Sequence, residues 1–262
     1  MNKIIRNVQV NIPFAMLHDS YLPRFLESGL NPEIGFDAHA LDRFSPDDFR
    51  SVAERILEKG LSITMHAPFM DLSAGSPDRE VRALTKHRFQ QFVQLLPLFR
   101  PKAVVCHTGW DKKRYWALRE PWLHNSLEIW LWMEERVRKE EAVLVLENVY
   151  EQNPDDLLEL LDNLKGARVG FCLDTGHQAV FSKAGLPIWL EKMEDYIVQL
   201  HLHDNHGLYD EHLALGEGTI DFPALFRYFK SKHISQPIIT LEPHGERDLW
   251  PSLEYLQQIW PW

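Results

Sequence analysis

Carboxylates and imidazoles recur at the ends of short β-branched runs along this chain. The run at residues 61–66 ends in His66, 103–107 in His107, 143–147 in Glu147, and 169–174 in Asp174 with His177 just beyond. The run at 198–203 carries His201 and His203, with Asp210 and His212 in the segment that follows, and 238–242 ends in Glu242. Oxygen and imidazole donors without a thiolate suit Zn²⁺, Mn²⁺, Fe²⁺ or Co²⁺. A single histidine at a strand end is ordinarily a hydrogen-bonded rim residue. Six of eight runs ending in the same way point to metal ions, because a cluster of carboxylates taken out of water is strongly destabilising without cations.

Two further runs, 8–12 and 33–37, complete the eight, and longer amphipathic stretches lie between them. The clearest are 46–59, 78–99, 120–139, 154–164 and 222–231, an alternation that predicts repeated βα units around a parallel sheet. Ser45 before Pro46 and Asp47, Asn153 before Pro154, and Asp221 before Phe222 and Pro223 read as helix N-caps, and Gly60 as a stop. With 262 residues, eight units take about 33 residues each, which predicts an α/β fold, a single (β/α)₈ TIM barrel forming one domain over residues 1–262. An open doubly wound sheet would carry a Gly-rich turn after an early strand, and none is present. In a parallel barrel the C-terminal strand ends converge on one mouth, so donors far apart in the chain become neighbours.

Charge narrows the partners. Lys and Arg number 28 against 38 Asp and Glu, a net charge of −10 with the 13 histidines neutral. That balance disfavours duplex nucleic acid and anionic membranes, which require a surplus of cationic side chains. No run approaches the roughly 18 apolar residues of a membrane helix, and the first residues lack a signal-peptide core. The only two cysteines, Cys106 and Cys172, make no disulfide framework, so the cytoplasm is the expected compartment. Both are expected in the core, Cys106 on the face opposite His107 and Cys172 one layer below Asp174.

Residues 170–177, Gly-Phe-Cys-Leu-Asp-Thr-Gly-His, resemble the G-x-C-x-D-x-x-H signature of the endonuclease IV family, within the wider xylose isomerase-like TIM-barrel superfamily. Residues 210–218, Asp-Glu-His-Leu-Ala-Leu-Gly-Glu-Gly, are similar to that family's D-x-H-x-x-L-G-E-G loop, and 66–72, His-Ala-Pro-Phe-Met-Asp-Leu, resemble its first-histidine segment. The resemblance implies a trinuclear site with two or three divalent ions per chain, Zn or Mn foremost and Fe or Co as alternatives. One metal would use His66, His107 and a bridging Glu147. A second would share Glu147 and add Asp174, His201 and Glu242, and the third would take His177, Asp210 and His212. Sugar and sugar-phosphate isomerases and epimerases of the superfamily resemble the chain too. They imply one metal on Glu147, Asp174, His201 and Glu242, with His177 orienting substrate.

The complete set of nine favours the multinuclear reading, and with it a hydrolase acting on a small phosphoester through hydroxide made nucleophilic by metal coordination. The alternative is an isomerase or epimerase in which Glu147 and Glu242 exchange protons with carbon. A metal-stabilised binding protein is a third possibility. Glu147, Glu242 and His177 are the expected catalytic residues. After His201, the DNA-repair enzymes carry a Lys and a Gly-containing loop, whereas residues 202–209 here are shorter and less basic. The expected partner is therefore a small anionic or sugar-like substrate and not duplex DNA.

Other features carry subsidiary expectations. Gly216-Glu217-Gly218 and the helix beginning near Phe222 form a candidate phosphate cradle, set against a plain loop. Trp110, Lys112, Lys113, Arg114, Tyr115 and Trp116 make either an anion-binding, ring-stacking loop or a solvated lid. Trp122, Trp130 and Trp132 are expected to pack or to make an oligomer contact. Asp204, Asn205 and His206 are candidates to orient His201 and His203, and Asp37 and His39, beyond the second strand, are not located by the sequence.

Overall fold

In the computed structural model, which describes residues 2–262, each of the eight runs becomes a strand and the strands close in chain order into one parallel barrel. They are β1 (Val8–Pro13), β2 (Asn31–Gly35), β3 (Thr64–His66), β4 (Ala103–His107), β5 (Val143–Glu147), β6 (Val169–Asp174), β7 (Ile197–Leu202) and β8 (Ile238–Leu241). The principal helices outside them are α1 (Leu22–Ser28), α2 (Pro46–Glu58), α3 (Arg79–Val93), α4 (Arg119–Lys139), α5 (Asp155–Asn163), α6 (Leu186–Met193), α7 (Phe222–Ser231) and α8 (Glu246–Ile259).

Strand parity sorts the side chains. On β4 and β5, Val104, Cys106, Leu144 and Leu146 join the large apolar cluster between sheet and helices, while Ala103, Val105 and Val145, with Cys172 of β6, form a separate plug inside the barrel. His107, Glu147 and Asp174 share a face with Val105, Val145 and Cys172, two residues nearer the C-terminal end, so they stand above the plug. Both cysteines are free and buried, and burial pushes their thiols up from the ordinary range. Trp122 and Trp130 are fully buried packing residues of α4, and Trp132 lies half-buried under the Arg136 guanidinium at 4.2 Å.

Several expected boundaries move for identifiable reasons. β2 begins earlier than residue 33, because Asn31 binds the chain there: its Nδ2 donates to the Ile5 and Val8 carbonyls, each at 3.1 Å, and its Oδ1 accepts from Ser62 N at 2.9 Å. The helix expected over 78–99 stops at Val93, and a separate turn, Leu96–Phe99, follows; Pro97 has no N–H to continue the ladder. Ser45 forms a reciprocal capping box with Asp48, and Asp221 accepts from Ala224 N at 2.8 Å. Asn153 does not cap α5, whose cap position is Pro154; Asp156 instead reaches back to accept from Gln152 N at 2.9 Å. His203 and Glu242 lie just past the last paired residues of β7 and β8, where the backbone leaves the barrel and enters its mouth. No helix among the described residues is long and apolar enough to cross a membrane.

Candidate metal centre

β3, β4 and β5 bring His66, His107 and Glu147 side by side, with the two histidine Nε2 atoms 3.1 and 3.4 Å from Glu147 Oε2. The other oxygen of Glu147 faces different histidines, 3.3 Å from His177 Nδ1 and 3.5 Å from His201 Nδ1. Around His201 Nδ1 lie Glu242 Oε1 at 2.9 Å and Asp174 Oδ2 at 3.9 Å. Asp210 Oδ2 sits 3.4 Å from His177 Nε2 and 3.3 Å from His212 Nε2, and Asp210 Oδ1 is 3.6 Å from His203 Nδ1. All nine expected donors thus meet at the mouth. Their atoms fall into overlapping groups compact enough for an ion, including His66–His107–Glu147, Glu147–Asp174–His201, and His177–Asp210–His212 with His203 added. Glu242 groups with His201 and Glu33, and again with Asp174 and His203.

The histidines are oriented for ligation. A ring nitrogen facing a backbone carbonyl must carry the proton, which leaves the lone pair on the other nitrogen. His66 Nδ1 donates to Ala67 O at 2.9 Å, His177 Nδ1 to Asn148 O at 3.0 Å, and His212 Nδ1 to Glu242 O at 2.9 Å. In all three Nε2 is left to face a carboxylate. His201 is reversed: its Nε2 lies 2.9 Å from Glu33 Oε1, so Nδ1 faces the cluster. Glu33 is itself held, Oε2 accepting from Thr64 at 2.8 Å, Gln199 at 2.6 Å and Thr240 at 3.0 Å. A carboxylate behind a ligating imidazole fixes its tautomer and raises its basicity.

Four atoms test whether metal ions suit this arrangement. Asp174 Oδ2, His201 Nδ1, His203 Nδ1 and Asp210 Oδ1 are buried without a hydrogen-bond partner among the described residues. Each such atom costs about 1–3 kcal/mol if left unsatisfied, and all four belong to the donor groups just described. The residues therefore fit divalent cations. The electrostatics agree. Burial opposes ionisation of Glu147, yet the imidazoles of His201 and His107 hold it well below the usual carboxylate range. Burial likewise opposes ionisation of Glu33, and His201 brings it down to about 2. Against their own burial, Asp174 and its fellow carboxylates push His177 well up, and Asp210 and Glu242 raise His212 to about 9. Protons on these imidazoles balance the carboxylates, and cation binding would release them.

Asp204 pins the segment that follows Asp210 and His212, its backbone pairing with that of Leu213. Its Oδ2 accepts from Gly216 N at 3.0 Å and Gly218 N at 2.9 Å, and its Oδ1 from Asn205 N at 2.9 Å and Ile220 N at 3.2 Å. Gly218 is required by this approach, since a Cβ there would stand 2.3 Å from Asp204 Oδ1. Of the two readings of residues 216–218 the plain loop holds: the amides of Gly216 and Gly218 already serve an internal carboxylate, and Asp221 caps α7. The candidate role of residues 204–206 is corrected. Asp204 holds the loop, Asn205 Nδ2 donates to Gly176 O at 3.0 Å, and exposed His206 pairs with Glu211 at 2.9 Å, while Glu33 orients His201. His212 adopts a left-handed backbone, φ 52°, which costs roughly 1–3 kcal/mol and is held by its bond to Glu242 O.

Gly176 explains the seat of His203. A Cβ at this position would lie 1.9 Å from His203 Cε1, so the imidazole packs flat on bare backbone. The ring then stacks on His212 at 3.7 Å and 3°, and His212 on His244 at 4.1 Å and 13°. Gly176→Ala should destabilise the fold by about 1–3 kcal/mol through overpacking, read as a lowered thermal midpoint. A midpoint equal to that of the parent protein would show that His203 has room to move aside.

The cleft above the donors measures about 800 Å³ and is lined by Asp37, Phe69, Arg114, Tyr115, Tyr150 and Phe181, among others. Asp37 lines it while capping a short helix through Ala40 N at 2.6 Å; His39 is exposed and lies outside it. The basic-aromatic loop divides. Trp110 is buried with the Arg119 guanidinium 4.6 Å from its ring, whereas Trp116 is 73% exposed. Lys112 lies 3.7 Å from Asp156, and Arg114 lies 3.3 Å from Asp111. Acidic neighbours therefore offset much of the loop's positive charge. The residue that sequence reasoning missed is Glu33. Its one signal is an acidic side chain in a strand whose alternate positions face the barrel interior.

The profile of the xylose isomerase-like TIM barrel matches residues 32–259. Among curated proteins, the uncharacterized protein MJ1311 of Methanocaldococcus jannaschii is 28% identical, over 95% of this chain and 89% of its own. A probable endonuclease 4 of Mycoplasma mobile is 24% identical, over 79% of this chain and 77% of its own. Among solved structures, the TTHB071 protein from Thermus thermophilus, soaked with ZnCl₂, is 28% identical with a TM-score of 0.81, covering 97% of this chain and 98% of that one. A D-tagatose 3-epimerase-like protein is 25% identical with a TM-score of 0.79, covering 97% of this chain and 96% of that one.

Proposed function

We propose that this chain, which belongs to the xylose isomerase-like TIM-barrel family, is a metal-dependent hydrolase of a small phosphoester that holds two or three divalent cations. The observation carrying this reading is the position of Glu147. It is 1% exposed, with one oxygen directed to His66 and His107 and the other to His177 and His201. Two oxygens directed apart in this way would let Glu147 serve two ions. The zinc-soaked relative supports a metal-binding reading. The likeness to an epimerase-like structure supports the alternative, one ion on Glu147, Asp174, His201 and Glu242, with Glu147 and Glu242 as the acid–base pair.

His66, His107 and Glu147 would hold one ion, Glu147, Asp174, His201 and Glu242 a second, and His177, Asp210 and His212 a third, with His203 beside it. Divalent cations held there supply Lewis acidity toward a phosphoryl oxygen and a nucleophile from water at neutral pH. The chain's own part is positional: backbone carbonyls fix the proton of His66, His177 and His212, Glu33 fixes that of His201, and Asp204 pins the segment that follows His212. The net charge of −10 and the cleft of about 800 Å³ favour a small substrate over duplex DNA.

Elemental analysis together with turnover in ¹⁸O-labelled water tests the reading. Two or three transition-metal ions per chain and one labelled oxygen in the released phosphate are expected. Replacing Asp210 and His212 together should lower turnover roughly 100- to 1,000-fold. A single ion on the four-residue group, with solvent protons exchanging into a sugar and no phosphate released, would establish the epimerase reading instead.

A further inference from the structure

The donors expected for the third ion, His177, Asp210 and His212, leave out His203, which is 1% exposed and stands among them. Three contacts fix its ring. Nε2 lies 3.2 Å from Asp174 Oδ1, the imidazole packs on the bare backbone of Gly176, and it stacks on His212 at 3.7 Å. Nδ1 is left facing Asp210 Oδ1 at 3.6 Å, and both atoms are buried without a hydrogen-bond partner among the described residues. With the ring proton on Nε2, this sets a nitrogen lone pair against a carboxylate oxygen. Two acceptors repel each other unless a cation lies between them. Asp174 is divided to match. Its Oδ1 accepts from His177 N at 2.6 Å and faces His203 Nε2, whereas its Oδ2 is unpartnered and lies 3.9 Å from His201 Nδ1. The arrangement repeats the one at His201, where Glu33 faces Nε2 and Nδ1 is turned toward the cluster. A carboxylate behind an imidazole fixes the tautomer that can ligate.

We propose that His203 is a fourth protein ligand of the third ion, through Nδ1, and that Asp174 joins the second and third ions by holding one with Oδ2 and orienting His203 for the other with Oδ1; this rests on the multinuclear part of the reading above. The donors of the third position are then three imidazole nitrogens and one carboxylate oxygen. That set suits Zn²⁺ and not Mg²⁺, which takes oxygen ligands and keeps several waters. Four protein donors complete the coordination number that zinc takes in closed sites, so this ion is held without an atom of the substrate. It ties together three separate segments: the short helix Thr175–Phe181, the chain just past β7 and the 210–212 arm.

Crystals of the zinc-loaded parent protein test the assignment directly. An anomalous difference peak is expected about 2.0–2.1 Å from His203 Nδ1, shared with His177, Asp210 and His212. Zinc competition against a chromophoric chelator supplies the second measurement. His203→Gln keeps an amide that can donate to Asp174 Oδ1 but has no lone pair at the Nδ1 position. It should weaken one zinc position by more than the roughly 10–100-fold that loss of an orienting partner costs, and leave the ion on His66, His107 and Glu147 in place. A thermal melt establishes that the variant is folded, and if it is not, the crystal of the parent protein decides. An ion beside His177, Asp210 and His212 that lies more than about 3 Å from His203 Nδ1, or a folded variant whose loss stays within that range, would overturn the role of His203 and leave the multinuclear reading standing. A single ion on Glu147, Asp174, His201 and Glu242, with none beside His212, would overturn both.

Discussion

Glu147→Gln should lower turnover by roughly a thousandfold, about 4 kcal/mol of transition-state stabilisation, and should deplete two metal positions at once. The amide keeps the shape of the side chain but has a single oxygen, and its NH₂ must face either the His66–His107 pair or the His177–His201 pair. Whichever pair meets the NH₂ loses its anionic partner. The other pair faces a neutral oxygen in place of a carboxylate, within a site that also buries Asp174 and Glu33. Elemental analysis and turnover are to be measured on the same preparation, with a thermal melt to establish that the variant is folded. A folded variant that keeps its full metal content and turns over within tenfold of the parent would show that Glu147 does not bridge.

Asp204→Ala should release the loop over the barrel and empty the third metal position. The carboxylate accepts four backbone N–H groups, from Asn205, Gly216, Gly218 and Ile220. Hydrogen bonds to a charged acceptor contribute about 1.5–3 kcal/mol each, though not additively. Alanine leaves those amides without a partner beside the Asp210–His212 arm. His66, His107 and Glu147 stand on strands and do not depend on the loop. The expected result is faster amide exchange at residues 216, 218 and 220, a metal content lower by one ion per chain, and turnover reduced about as far as by the Asp210 and His212 double replacement. Protection of those amides equal to the parent's, with full metal content, would assign the arm's position to some other contact.

The meeting of the strand-end carboxylates and imidazoles was legible because a barrel converts linear order into position. A side chain at the C-terminal end of any parallel strand reaches the same mouth, and strand parity separates His107 from Cys106 without reference to any other element. Glu33 was not legible in the same way. Its role depends on Gln199 and His201, far along the chain on a strand that meets it only across the closed interior. The Gly216–Gly218 turn left two readings open because free amides in a glycine turn look alike whether they await a ligand or already serve an internal acceptor. Asp204 became that acceptor only when the loop folded back over it.

From the residues alone follow the barrel, a mouth rich in carboxylates and imidazoles, and the acidic balance that disfavours duplex DNA. These depend on residue type, period and count, which are local or additive properties. The folded chain settles which nitrogen of each histidine is left to face the cluster, how the two oxygens of Glu147 are shared, and why Gly176 must lack a side chain. Hydrogen bonds are directional, and burial depends on partners that are distant along the chain. Those properties therefore take definite values only after the first and last strands have closed the barrel.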